Sequence, residues 1–232
     1  MKIKAILFDC DGVLADSETI TNRVLCGLLN ALGWPLTLPE CMAIFVGKTI
    51  KDEAALIHQK TGFYIDDAWL KAFRAQRDER LLLEVQAVPN IVETVAALHQ
   101  SFAGRIACAS GADRPKIRLM LNKLGLLAYF DQHIHSGQEQ ARNKPAPDVY
   151  LAAAKGLNVH AENCIVVEDT VTGVAAGVAA GAMVLGYSPP EAGHHGQAAL
   201  KLAGAAQVFA DMADLPAMVR QAQKDGQPEN PV

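Results

Sequence analysis

The stretch Lys2-Ile3-Lys4-Ala5-Ile6-Leu7-Phe8-Asp9-Cys10-Asp11-Gly12-Val13-Leu14 decides how the rest of the chain is read. Lys2 to Phe8 is rich in aliphatic side chains, the pattern of a strand buried on both faces in a parallel sheet. Two aspartates follow, one residue apart. On extended backbone they face the same side, while Cys10 between them points away. Such a pair repels itself when buried unless a cation or a shared proton compensates. Taken alone, Asp-x-Asp-Gly fits an acid-capped turn as well as a reactive pair.

Working outward, Arg105–Ala109, Cys164–Val167 and Ala182–Leu185 repeat the aliphatic strand pattern, with weaker versions at Gln132–His135 and Gln207–Phe209. Helical spacing lies between them: Ile91–Gln100, Asp113 to about Leu124 with Asp113 as cap, Pro147 to Lys155, and Thr170 to Ala180 ending at Gly181. Gly173, Gly177 and Gly181 mark a small-residue face suited to close packing on a sheet. Strands alternating with helices predict an α/β fold with a parallel sheet covered on both faces. Ligands of such sheets bind beyond the carboxyl ends of the strands. One segment breaks the alternation. Residues 16–88 show helical patterns, punctuated by Pro35, Pro39, Gly47 and Gly62, and no convincing strand. The expected organisation is a Rossmann-like core of residues 1–15 and 89–220, an inserted α-helical cap at 16–88, and a disordered tail at 221–232.

The composition narrows the function classes. Half the 232 residues are hydrophobic, ample for a large core, and the formal net charge of −4 gives no nucleic-acid footprint. No basic run suits an anionic membrane surface, no apolar run suits a bilayer span, and the first apolar run is too short for a signal peptide. A cytoplasmic protein is expected, with its oligomeric state left open. The five cysteines, Cys10, Cys26, Cys41, Cys108 and Cys164, are odd in number and never spaced Cys-x-x-Cys, which argues against a disulfide framework or a zinc site. His194-His195 reads as a solvated loop, because adjacent histidines rarely face one metal.

The chemistry-bearing residues fall at the strand ends. Ser110-Gly111 offers a hydroxyl and an approachable backbone, and Lys144-Pro145-Ala146-Pro147-Asp148 sets a lysine in a proline-bounded loop. Glu168-Asp169-Thr170 puts two carboxylates where burial demands a cation. Oxygen-only ligands favour magnesium over zinc. Each motif alone is ordinary; in this order they are not. With Phe8-Asp9-Cys10-Asp11-Gly12-Val13-Leu14 and Val167-Glu168-Asp169-Thr170-Val171-Thr172-Gly173, the chain resembles the haloacid dehalogenase-like hydrolase superfamily from about Lys2 to Leu215. The likeness is to its helical-cap branch of sugar-phosphate phosphatases and beta-phosphoglucomutases.

That resemblance implies roles. Asp9 is the expected nucleophile, Asp11 the acid and base, Ser110 a phosphoryl hydrogen-bond donor, and Lys144 the partner of Asp9 and of developing charge. Asp9, Asp169, the carbonyl of Asp11 and, directly or through water, Glu168 are the expected Mg²⁺ ligands. Ser110, Gly111, Lys144, Lys48 and Arg77 are the expected substrate contacts. Asp11 argues against dehalogenation. The mutase branch carries a histidine and an arginine where Thr21 and Ile50 stand here. The expected function is therefore hydrolysis of a small phosphorylated metabolite, a sugar or sugar-acid phosphate. Mutase-like phosphoryl transfer and an idle binder of a phosphorylated ligand are the alternatives.

Overall fold

A computed structural model describes residues 2–190 and 195–225. Six strands form one parallel sheet: β1 (Ala5–Phe8), β4 (Ile106–Ser110), β5 (Ile134–Ser136), β6 (Cys164–Glu168), β7 (Met183–Tyr187) and β8 (Gln207–Phe209). Their order is β5-β4-β1-β6-β7-β8, so the first strand of the chain lies inside the sheet between β4 and β6. All four residues of β1 are buried. Ile6 and Phe8 face one apolar cluster and Ala5 and Leu7 the other, as the two-residue period of a strand requires.

The first cluster is covered by α5 (Ile91–Ser101), α6 (Arg114–Lys123), α7 (Leu127–Phe130) and α11 (Leu215–Asp225). The second is covered by α8 (Asp148–Gly156), α9 (Val171–Ala179) and α10 (Gln197–Leu202). The small-residue face of α9 does pack closely, since a Cβ at Gly177 would press on Val166 and Val184. All five cysteines are buried free thiols, and burial pushes Cys41 up to about 12 and Cys164 up to about 11. Among the described residues no helix is long and apolar enough to cross a membrane.

Between β1 and α5 stand α1 (Glu18–Ala31), α2 (Leu38–Phe45), α3 (Ala54–Thr61) and α4 (Asp67–Glu84). They share an apolar cluster of their own around Leu25, Leu29, Trp34, Phe45, Ile57 and Phe73. Two details differ from the sequence expectation. The inserted segment does contain strand: β2 (Ala15–Asp16) pairs antiparallel with β3 (Gln86–Ala87), tying its entry to its exit. Residues 221–225, expected in a disordered tail, instead complete α11, which runs to Asp225 with Leu215 and Val219 buried against the core and Met218 and Ala222 packed beside them. Residues 226–232 lie outside the described residues.

A buried ion pair crosses from the inserted helices to the sheet domain. Arg77 of α4, 5% exposed, donates to Asp113 at 2.9 and 3.4 Å and to Asp78 at 2.8 Å. Asp113 also caps α6, accepting from the Lys116 N–H. Burial opposes its ionisation, but the Arg77 guanidinium holds its carboxyl below the usual aspartate range. The stability this pair contributes is therefore present above the ordinary aspartate value and lost as pH falls through the depressed one. Arg77→Met leaves Asp113 with only Arg74, at 3.7 Å. Urea unfolding at neutral pH should show a loss of about 3 kcal/mol, the low end for breaking a buried pair, that shrinks on acidification. A pH-independent loss, or none, contradicts this account.

Candidate active site

The carboxyl ends of β1 and β6 bring Asp9, Glu168 and Asp169 together, with ligand oxygens within 4.8 Å of one another and all three residues buried. Lys144 arrives from the loop before α8 and donates to Asp9 Oδ1 at 2.6 Å and Glu168 Oε1 at 2.7 Å. The Tyr150 hydroxyl donates to the same Glu168 oxygen at 2.8 Å. The other oxygen of Glu168 accepts from the backbone N–H groups of Asp169 and Thr170 and from Thr170 Oγ1. Glu168 thus accepts hydrogen bonds at both oxygens, which hold Lys144 and shape the end of β6, and it remains one of the three carboxylates whose oxygens could hold a cation. Thr170 in turn caps α9 through the Gly173 N–H. Gly173 has to be glycine, since a Cβ there would collide with the Glu168 carboxylate.

Asp11 has a different cation. Lys116 Nζ of α6 lies 2.5 Å from Asp11 Oδ1, and Ser17 Oγ donates to the same oxygen. Ser110 Oγ, at the end of β4, stands 3.5 Å from Asp11 Oδ2. The expected repulsion between the two aspartates is resolved by giving each its own lysine. Burial works against ionisation of Asp11, but Lys116 and Ser17 keep its carboxyl below the usual range. Gly12, at φ +78°, takes a left-handed turn, and a Cβ there would strike the Asp169 carboxylate.

These groups floor a crevice of about 360 Å³, walled by the inserted helices. Thr21, Lys48, Ile50 and Arg77 all line it, but Arg77 spends its guanidinium on Asp113 and Asp78, and Lys48 pairs with Glu53 at 2.8 Å. Arg77 is therefore a strut between cap and core rather than a donor held open for a ligand. The Thr21 hydroxyl is buried with no hydrogen-bond partner among the described residues. Sequence reasoning missed Lys116, Arg74 and Asn143. Arg74 lines the crevice and donates to Gln138 at 3.1 Å. Asn143 donates to the Gly111 carbonyl at 2.9 Å and accepts from the Lys144 N–H at 2.8 Å, joining the Ser110 loop to the lysine loop. His194 lies outside the described residues. His195 donates its backbone N–H to the Asp169 carbonyl at 3.2 Å.

The charge balance tests whether a divalent cation fits. Burial first, then the mutual repulsion of Glu168, Asp169 and Asp11, drives Asp9 well above the usual carboxylate range despite Lys144. Burial, Glu168 and Glu18 drive Asp169 the same way. One ammonium is too little positive charge for three buried carboxylates, and the ligand set is oxygen only. Both features suit Mg²⁺, with Asp9 and Asp169 as its carboxylate ligands.

Known proteins resemble this chain in sequence and fold. A model of the haloacid dehalogenase-like hydrolases matches residues 3–181. The 6-phosphogluconate phosphatase of Escherichia coli (strain K12) is 30% identical over 181 residues, spanning 78% of this chain and 80% of that protein. Among solved structures, a haloacid dehalogenase-like protein of unknown function from Agrobacterium tumefaciens superposes with a TM-score of 0.79 at 30% identity, covering 95% of this chain and 99% of that one. A hydrolase from Deinococcus radiodurans, solved with bound phosphate and sodium, superposes with a TM-score of 0.75 at 35% identity, covering 95% and 96%.

A cation that binds only the folded cluster must stabilise the fold. Thermal unfolding should shift upward on adding Mg²⁺, equivalent to about 2.7 kcal/mol at 100 times the Kd. Because Asp9 and Asp169 must ionise to bind, the shift should grow as pH rises from 5 to 8. Asp169→Asn removes one buried charge, so it should be at least as stable as the wild type without metal and should lose the Mg²⁺ response. An unchanged response in that variant rules Asp169 out as a ligand.

Proposed function

The chain belongs to the haloacid dehalogenase-like hydrolases and is a phosphoric monoester hydrolase, and from that premise we propose that it cleaves a small phosphorylated sugar or sugar acid through an aspartyl-phosphate on Asp9. The observation that carries this reading is Asp9 itself. It ends an interior strand, is buried, and is oriented by Lys144 at 2.6 Å toward a crevice that also contains Asp11 and Ser110. A nucleophilic carboxylate needs that fixed geometry, because phosphoryl transfer asks a protein mainly for positioning and charge stabilisation.

In the proposed reaction Asp9 attacks phosphorus as the bond to the leaving oxygen breaks. Asp11 gives that oxygen a proton, then takes one from the water that attacks the aspartyl-phosphate. Ser110 Oγ and the Gly111 backbone hold phosphoryl oxygens, and Lys144 offsets charge that builds on the transferring group. Mg²⁺ held by Asp9, Asp169 and the Asp11 carbonyl, when bound, supplies Lewis-acid neutralisation of the phosphoryl oxygens.

The volume of the crevice, about 360 Å³, suits a metabolite and not a macromolecule. The four helices between β1 and α5 act in this reading as a lid that excludes bulk water, hinged at the β2–β3 ribbon. Lys48 and Arg74 of that lid are the proposed contacts to the part of the substrate remote from phosphorus, while Arg77 fixes the lid's seat. The 6-phosphogluconate phosphatase of Escherichia coli acts on a phosphorylated sugar acid, in line with the cations Lys48 and Arg74 in the lid wall here.

The test is product analysis over a panel of phosphorylated sugars and sugar acids with Mg²⁺. Free phosphate and free sugar in equal amounts are expected, and Asp9→Asn should lower turnover on the order of 10⁴-fold or more with the fold retained. An isomerised sugar phosphate with little free phosphate favours the mutase alternative. Wild-type turnover by Asp9→Asn refutes the nucleophile assignment.

A further inference from the structure

Lys116 is 5% exposed in the first turn of α6, and no feature of the reaction described above requires it. A lysine buried this far loses its hydration and must find an anion, and replacing such a pair with apolar groups is often neutral or stabilising. Fold stability is therefore a weak reason for its presence. Its geometry offers a better one. Lys116 Nζ and Ser17 Oγ both bind Oδ1 of Asp11. Neither touches Oδ2, which faces Ser110 Oγ across 3.5 Å, near the long limit of a hydrogen bond. One oxygen of the carboxyl group is gripped twice and the other is turned toward the crevice. The grip is braced from behind, because Asp113 accepts from the Lys116 N–H at 3.0 Å while Arg77 of the lid holds Asp113.

We propose that Lys116 is a positioning residue for Asp11: by holding Oδ1 it sets the plane of the carboxyl group and presents Oδ2 to the leaving oxygen of the substrate. The proposal rests on the phosphatase reading above and adds to it the group that aims its acid. The step it serves is the first half of the reaction. The bond from the Asp9 carboxylate to phosphorus forms and the bond from phosphorus to the leaving oxygen breaks; Asp11 Oδ2, which must first take up a proton because Lys116 and Ser17 favour the carboxylate, passes it to that oxygen, so that an alcohol departs. Oδ1, accepting two hydrogen bonds, is the carbonyl oxygen while Oδ2 carries the proton and one of two equivalent carboxylate oxygens once the proton has gone. A misaimed acid fails where the leaving group needs its proton most. An alkoxide leaving from a sugar phosphate needs it, whereas a nitrophenolate leaves readily without one.

The readout is the ratio of kcat/KM for an alkyl phosphate to that for p-nitrophenyl phosphate, since kcat/KM reports steps up to departure of the leaving group. In Lys116→Met the alkyl ester should fall on the order of 10²-fold or more, the scale of general acid catalysis, and the aryl ester less than about 5-fold. The aryl ester thus doubles as the folding control. Lys116→Arg, which restores a cation on the same stem, should recover the alkyl rate to within about tenfold of wild type. Should the methionine variant fail to fold, Lys116→Gln is read by the same ratio. An equal fall for both esters, or no fall for either, overturns the positioning role. If the wild type cleaves neither ester with Mg²⁺ present, the phosphatase reading fails and this inference with it. If it cleaves both and the ratio stays fixed in the variants, only the role of Lys116 is lost.

Discussion

The ion pair between Lys144 and its two carboxylates governs the arrangement around it. Asp9 and Glu168 end neighbouring strands and are held at 2.6 and 2.7 Å from one Nζ. Ionised carboxylates withdrawn from water cost several kcal/mol apiece unless paired and fully hydrogen-bonded. The surrounding structure answers that cost piece by piece: a tyrosine hydroxyl and two backbone N–H groups for Glu168, and a glycine at 173 to admit it. Three buried carboxylates around one ammonium leave the cluster two positive charges short, a balance that suits a divalent cation.

The second lysine divides the labour. Had Asp11 shared Lys144, its carboxyl group would be drawn toward Asp9 and away from the crevice mouth. Lys116 draws it instead toward α6 and Ser17, so that two like charges one residue apart coexist with separate partners. The elements holding Asp11 also reach the inserted helices: Ser17 precedes α1, and Asp113, which caps the helix carrying Lys116, takes Arg77 from α4.

The fold was legible in the sequence wherever a local period carried it. All six sheet strands fell where aliphatic runs placed them, and the helices from α5, α6, α8 and α9 where caps and apolar spacing did. The β2–β3 ribbon was not legible, because two residues per strand leave no period and their partners lie about seventy positions apart in sequence. The strand-end residues Asp9, Asp11, Ser110, Lys144, Glu168 and Asp169 converge on one crevice or its floor, as order along an α/β sheet predicts. Arg77 and Lys116 were harder for a shared reason. Arg77 lies four residues from both Phe73 and Leu81, and Lys116 four before Met120, so each charge sits on a buried stripe. A cation on an apolar stripe signals a buried anionic partner, but the sequence cannot say which anion. That depends on how α4 and α6 meet the ends of the strands.

The strand order has a consequence for how the chain is made. β1 leaves the ribosome well before its neighbours β4 and β6, which follow roughly one hundred and one hundred and sixty residues later. At typical synthesis rates the second neighbour emerges on the order of ten seconds after β1. For that interval an aliphatic strand with two open edges waits for partners, the kind of segment that invites capture by another nascent chain. The helices that follow it carry an apolar cluster of their own and need nothing downstream to condense. In a growing chain, the insertion that later roofs the crevice is the part equipped to fold early, beside the strand that must wait longest.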